Sequence, residues 1–372
     1  MKLQKLIAAL TACGALSMSV NAQSAALPEE PIQACTLGEV TVPCEAKAWD
    51  IAFDVFYARQ ASETNWYTIH NPVISSSPMQ QYQYHQHQPD WAWGFRAEAS
   101  YHFGTGSDIR VNYFYLNRST DNQLKSADNN LHSPYLPDWF DGRIPPIDEP
   151  IITPEGWNQI DQWSRTRLHN ANIEFGQTSD FGEKINIRFH SGLGFIYLNH
   201  NLTIEGSNTG SQRRQQIRAK NEMQSRFSGI GPRFGQDTRY DFDNGVSIYG
   251  NYAIGAYIGH LKSTGNVTTQ VPDDTRLTEV DIEVIRNTSS QTAMVAGFEA
   301  RLGIQYALPV SFGDVTFDLA FHTRIYQNII QQTGIENTVI GPTVISDIEF
   351  TKQNHNWGFF GPSLGIKVIG AI

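Results

Sequence analysis

Ten stretches of this chain alternate between apolar and polar residues, and nothing else in it limits the fold so sharply. In 91–103 every odd position from Trp91 to Phe103 is apolar, while Gly94, Arg96, Glu98, Ser100 and His102 take the even ones. A period of two puts successive side chains on opposite faces of an extended strand. Segment 48–59 sets Trp49, Ile51, Phe53, Val55 and Tyr57 against Asp50 and Asp54. Segment 108–117 sets Ile109, Val111, Tyr113 and Tyr115 against Arg110 and Asn112, and 185–198 and 313–327 repeat the arrangement. Segments 166–177, 223–242, 246–260, 291–307 and 356–369 follow it less cleanly.

The connections sort into two classes. Four are tight: Gly104 to Asp108, Ser179 to Gly182, Asp243-Asn244-Gly245 and Pro309 to Gly313. Asp-Asn-Gly is a specific turn signal, because Asn and Gly tolerate positive φ. Five others are long and polar, at about 60–90, 118–165, 205–222, 261–290 and 328–355, and they alternate with the tight ones. Short turns at one end and long loops at the other are the grammar of a transmembrane β-barrel with an even strand number. A soluble β-sandwich also alternates, but it has no reason to sort its loops by end, and its edge strands need guarding. Aromatics near segment ends (Trp49, Tyr57, Trp91, Trp93, Tyr101, Phe103, Tyr240, Phe242, Tyr306, Trp357) read as interfacial girdles. The reading is an all-β, antiparallel up-and-down barrel of about ten strands, closed because lipid leaves no backbone group to water.

Composition excludes the alternatives. Charged residues make up 17% of the 372 and the formal net charge is -10, unlike a nucleic-acid binder with its basic clusters. Eight Trp, 15 Tyr and 20 Phe are too much aromatic surface for a disordered chain. Beyond the first two dozen residues no apolar run approaches the length of a spanning helix.

Residues 1–22 read as a cleaved secretory signal, with Lys2 and Lys5 before an apolar stretch and Val20-Asn21-Ala22 at the cut. Leu10-Thr11-Ala12-Cys13 offers a competing lipoprotein box, but the apolar run continues past Cys13. Residues 23–47 form an N-terminal periplasmic segment and 48–372 the barrel. Cys35 and Cys44, in an exported chain, suggest a disulfide, with two free thiols as the alternative. Spacing does not say whether such a bond lies within or between chains.

With the apolar face in lipid, the polar face encloses the interior. Expected lining residues are Arg96, Glu98, Arg110, Arg188, His190, Arg233, Asp237, Arg239, Glu299, Arg301, Asp318, His322, Arg324 and Lys367, with Glu174 on the same face and glycines interleaved. The near balance of charge fits either a paired, closed network or a wet channel. Eight strands leave room only for side chains and sixteen an open channel, so ten lies near the narrow end.

Cys35-Thr-Leu-Gly-Glu-Val-Thr-Val-Pro-Cys44 followed by Ala48-Trp49-Asp50-Ile51 resembles the mature start of Legionella-type major outer membrane proteins. So do Trp93-Gly94-Phe95, Ser100 to Gly106, and Phe227-Ser-Gly-Ile-Gly-Pro232-Arg233, in order along nearly the whole mature chain. The resemblance implies a pore-forming protein of the Gram-negative outer membrane, whose abundant members act as porins and take part in surface adhesion. It further implies that Cys35 and Cys44 match family cysteines of disulfide-linked complexes. Two departures are the Pro-rich 118–165 loop and a C-terminal Ile372 where barrels commonly end in an aromatic.

Chemical lookalikes are weak. Gly361-Pro-Ser363-Leu-Gly365 mimics a nucleophile elbow, but no Asp or His follows it; it and Gly231-Pro232 read as strand positions with a bulge or bend. His85, His87 and Asp90 lie in a Gln/His/Tyr loop that fixes no metal geometry. A ten-stranded rim protease needs Asp and His at the external end, whereas Asp241 and Asp243 fall at a tight turn. Loop 118–165 carries Asp138, Asp141, Asp148, Glu149 and Glu155, either solvated or folded inward against Arg96, Arg110 or Arg188. The expected function is passive diffusion of small hydrophilic solutes, with no enzyme activity, cofactor or metal. The alternative is a closed barrel serving as adhesin or receptor for host surface ligands. Expected partners are outer-membrane lipid, lipopolysaccharide and a second copy of the chain, and no nucleic acid.

Overall fold

The structure is a computed structural model that describes residues 40–42, 47–62, 67–70, 83–86, 89–125, 131–133, 136, 157–208, 217–272, 280–311, 313–339 and 346–371. Segment 1–22, Cys35, Cys44, His87, the side chain of His85, and the loop acids Asp138, Asp141, Asp148, Glu149 and Glu155 lie outside them.

Ten antiparallel strands make one ring: β1 (Ala48–Ser62), β2 (Trp91–His102), β3 (Ser107–Lys125), β4 (Gln159–Phe181), β5 (Ile185–Asn208), β6 (Ile217–Asp241), β7 (Val246–Pro272), β8 (Val280–Val310), β9 (Gly313–Val339) and β10 (Ser346–Ala371). Each strand pairs with its neighbours in sequence, and β10 closes onto β1 from Ala371↔Ala48 to Trp357↔Ser62. Closure gives every barrel strand a partner on both sides, as a hydrocarbon surround requires. Val40–Thr41 adds a short strand beside the tight-turn end of β4, and Tyr67–His70, Gln83–Gln86 and Leu131–His132 form a small separate sheet.

The outward face is apolar to a degree that water does not allow over so wide a surface. Leu302 is 71% exposed, Trp93 67% and Leu364 65%, in company with Ile51, Phe175, Phe189, Phe234, Ile254 and Phe317. On β7 this face runs from Ile248 to Ile258, which at normal strand rise and tilt spans about 25 Å, the height of a barrel's lipid-facing band. At the tight end, Asp243 and Gly245 adopt positive φ (65° and 80°), and Val246 N–H donates to the Asn244 Oδ1 at 3.1 Å. The third residue must therefore be Gly, and the side chain of the second works as an acceptor rather than as a left-handed residue.

Three expectations need correction. The 205–222, 261–290 and 328–355 connections are mostly strand: β7 runs to Pro272 and β8 begins at Val280. Beyond the lipid band the outer face need not be apolar, so the strand continues after its alternation has faded, while the inner side still buries Ala219, Leu261, Val267, Ile329 and Ile330. Trp357 belongs to no girdle but is fully buried inside the ring. Gly231-Pro232 and Gly361-Pro362 keep the register of their strands on both sides. The break falls instead in β9, where pairing with β10 slips between Tyr326 and Ile330. There Asn328 takes a φ of 56° and its N–H donates to Asn356 Oδ1 at 2.9 Å, so that Ile329 and Ile330 are both fully buried.

Candidate functional site

Inward parity selects the side chains that fill the ring, and these divide it into two layers. Near the tight turns the layer is ionic. Asp50, Asp54, Glu98, Asp108, Glu174, Asp237, Glu299 and Asp318 face Arg96, Arg110, Arg188, Arg233, Arg301, Arg324 and Lys367. Eight carboxylates against seven fixed cations are close to neutral, and most pairs bridge different strands. Arg188 grips Asp108 with two N–H groups at 2.6 Å each and reaches Asp237 at 3.0 Å. Arg110 spans Glu98 (3.3 Å) and Asp237 (2.9 Å). Arg301 forks onto Asp54 at 2.7 and 3.2 Å and also holds Asp318, which accepts the Tyr249 hydroxyl at 2.7 Å. Gly365 makes room for that junction: a β-carbon there would collide with the carboxylates of both Asp54 and Asp318.

Higher up, Glu299 collects Arg233 (3.0 Å), Arg324 (2.7 Å) and His322 (3.2 Å), while Glu174 takes Arg233 (2.9 Å) and His190 (3.2 Å). At the mouth Asp50 holds Lys367 (2.8 Å), His102 (2.7 Å) and the Ser100 hydroxyl (2.7 Å). Such buried charges persist only because each finds several partners; stripping one partner leaves a desolvated charge behind.

Above them the interior turns apolar. Phe56, Phe114 and Phe359 stack at centroid separations of 4.6, 5.1 and 5.7 Å, with the His322 edge against all three and the Arg324 guanidinium 4.2 Å over Phe114. Leu116, Leu168, Ile196, Leu198, Phe227, Tyr257, Leu261, Val295, Tyr326, Ile329, Ile330 and Trp357 complete one buried cluster across the ring. We call it the septum. A second cluster lies beyond it, where Leu131, Leu136 and Trp157 of the long β3–β4 connection pack on Ile160, Leu202, Ile204, Ala219 and Met223. Reciprocal backbone hydrogen bonds between Leu131 and Trp157 (2.7 and 3.1 Å) fasten that piece.

Open space follows the same division. A vestibule of about 250 Å³ opens among Asp54, Arg96, Glu98, Arg110, Asp237, Tyr249, Arg301 and Lys367. Around Arg233 and Glu174 the space shrinks to about 20 Å³, and around Tyr257, Arg324 and Tyr326 to about 10 Å³. A buried water needs some 10–15 Å³, so these spaces narrow from a chamber wide enough for several waters to room for about one.

Of the sequence-derived lining residues, Arg96, Glu98, Arg110, Arg188, His190, Arg233, Asp237, Glu299, Arg301, Asp318, His322 and Arg324 come together in the ionic layer. Lys367 sits at its mouth, and Arg239 stands at the rim, exposed and 3.2 Å from Asp241. Arg96, Arg110 and Arg188 are paired within the wall, and the described part of the β3–β4 connection enters with apolar side chains instead. Sequence reading omitted Asp50, Asp54, Asp108 and the whole septum. The signal was present: Phe56 and Ala58 share parity with Asp54, and Phe114 with Arg110. Polarity had been used as the mark of the inner face, which hid apolar residues on it. Ser363, the lookalike nucleophile, lies buried in unbroken β10 and donates at most to Ala320 O at 3.5 Å. Among the described residues no group of three or more potential metal ligands forms.

The family model of the Legionella pneumophila major outer membrane protein precursor matches residues 41–370 of the chain. No curated protein matches it. Solved structures similar in outline are outer membrane barrels: the protease OmpT from Escherichia coli (10% identity, 90% of this chain and 99% of that one, TM-score 0.35) and a Pseudomonas aeruginosa FadL homologue (9%, 88% and 92%, 0.26). The toluene transporter TodX of P. putida is a third (8%, 88% and 90%, 0.27).

Proposed function

The chain belongs to the family of the Legionella pneumophila major outer membrane protein and lies in the outer membrane, and from that premise we propose a barrel sealed at rest, working at the cell surface through its external wall and loops as a receptor or adhesin. The observation that carries this reading is the septum. Three stacked phenylalanines and a dozen further buried side chains pack into one cluster inside the ring, and an apolar constriction of this kind opposes hydrated ions by dewetting. The apolar cluster around Trp157 and Leu131 adds a second closure above it. No covalent step, cofactor or metal enters the reading.

The earlier expectation, porin-like diffusion of small hydrophilic solutes, is kept as a second reading because of the charged vestibule. A chamber of about 250 Å³ open at the tight-turn end is what a selectivity region needs. In that case the septum is a gate.

Planar-bilayer recording separates the two. The sealed reading expects a silent native protein and discrete conductance steps from a Phe56→Ser, Phe114→Ser, Phe359→Ser variant. Steady steps from the native chain would establish diffusion and remove the sealed reading. A silent protein whose loop deletions abolish attachment of cells to host surfaces completes the case for the first.

A further inference from the structure

On the outer surface, where the lipid-facing band ends on the long-loop side, a row across four neighbouring strands carries three cations and one asparagine. Arg167 of β4 lies opposite Asn199 of β5, Asn199 opposite Arg226 of β6, and Arg226 opposite Lys262 of β7. Strands about 4.8 Å apart make this a row of about 15 Å. Arg165 stands one outward step further out on β4. One step inward come His169, Tyr197, Ser228 and His260, and below these Ala171, Phe195, Ile230 and Ile258 of the lipid band. The cations therefore sit at headgroup height in the outer leaflet. Arg165, Arg226 and Lys262 are exposed and Arg167 is half-buried.

Among the described residues none of the four forms an ion pair; the nearest outward acid on β6, Glu222, is held by Lys220 at 2.5 Å. The patch is thus positive on a chain whose net charge is -10. Beside it lies a cavity of about 450 Å³, where β2 stops at Trp91 while β3 runs on to Lys125. Its walls include Trp163, Arg165, Ser119, Asn201, Thr203, Asp90 and Asp121, an indole among hydroxyls, an amide, a guanidinium and two carboxylates. That combination suits a sugar ring, with its apolar face on the indole and its hydroxyls on the polar groups.

We propose that this surface binds the phosphorylated sugar headgroup of the outer-leaflet glycolipid, lipopolysaccharide. The phosphates meet Arg167, Arg226 and Lys262, a sugar enters the cavity at Trp163, and the acyl chains lie along Phe195, Ile230 and Ile258. Cations at a membrane surface attract anionic headgroups with an energy that adds up over the cluster. The inference is independent of whether the lumen conducts.

The test uses the full-length mature protein in detergent and measures binding of purified lipopolysaccharide, of enzymatically dephosphorylated lipopolysaccharide and of phosphatidylglycerol micelles. An Arg165→Gln, Arg167→Gln, Arg226→Gln, Lys262→Gln variant removes the row, and Lys47→Gln with Lys184→Gln removes equivalent charge from the opposite end. Heat-modifiable gel mobility confirms that each is folded. The row variant is expected to bind lipopolysaccharide on the order of 100-fold more weakly, and the opposite-end variant to bind it like the native chain. Trp163→Ala is expected to weaken phosphorylated and dephosphorylated forms alike, about tenfold. Equal lipopolysaccharide binding by native and row-variant protein would overturn the proposal. So would phosphatidylglycerol binding as tight as lipopolysaccharide binding and lost with it, since a general anionic-lipid patch would then suffice.

Discussion

The two halves of the barrel interior are built from strands of the same ring, yet they answer opposite physical demands. The ionic layer gathers eight carboxylates and seven fixed cations, opens into a vestibule of about 250 Å³ on its tight-turn side, and keeps its buried groups by sharing partners. The septum, one or two turns of side chains further along the same strands, has no such space and holds through apolar contact and ring stacking. The open chamber can relax a defect in the first, whereas the second has only packed side chains around it. The comparison teaches that in a narrow barrel closure is a matter of packing, while charge decides what reaches the closed section.

Breaking the septum is expected to have the largest effect. Phe114→Ala removes one ring of the mutually packed trio and strands Arg324 over a void, costing about 3–5 kcal/mol in reversible unfolding monitored by tryptophan fluorescence in detergent. A loss below about 1 kcal/mol would mean that the septum is loosely packed and the contrast unfounded. Arg301→Ala comes next. It leaves Asp54 and Asp318 facing each other, but the open vestibule softens the penalty to about 2–3 kcal/mol. Arg324→Met tests the boundary. Glu299 keeps Arg233 and His322, and Met fills the volume above Phe114, so the expected cost is about 1 kcal/mol.

Lys367→Gln, at the mouth, leaves Asp50 with His102 and Ser100 and is expected to cost well under 1 kcal/mol, less still in 1 M salt. Lys184→Ala marks the lower end of the series. Its ammonium, raised above the ordinary lysine range by a hydrogen bond to Asp243, is exposed at a periplasmic turn, and its removal should leave the unfolding midpoint unchanged. A shift at Lys184 as large as that at Arg301 would erase the distinction between mouth and chamber.

Much of the ring was readable beforehand. The alternation in 48–59, 91–103 and 108–117 identified the lipid face residue by residue, and Asp-Asn-Gly marked a tight turn that the structure contains. The ionic layer was readable as a set of residues but not as pairs. The septum was missed because an inward Phe56 or Phe114 looks, in a linear pattern, like a lapse in polarity. Trp357 was misplaced because an aromatic near a strand end occurs both in girdles and in plugs, although its odd position on β10 puts it on the inner face with Phe359 and Ser363. The long outer strands were missed because beyond the lipid band neither face must be apolar, and the period-two signal disappears while the hydrogen-bond ladder continues.

What the sequence determined by itself is local: which face of each strand meets lipid, where the chain reverses tightly, and that an even-numbered ring must close to satisfy its backbone. What only the tertiary structure decided is who meets whom across the ring. Arg301 and Asp54, 247 residues apart, are joined because β8 and β1 face each other through the interior, and the cation row exists because β4 to β7 align Arg167, Arg226 and Lys262 at one height. Strand periodicity is carried by neighbouring residues, whereas register around a closed barrel is set by all ten strands together.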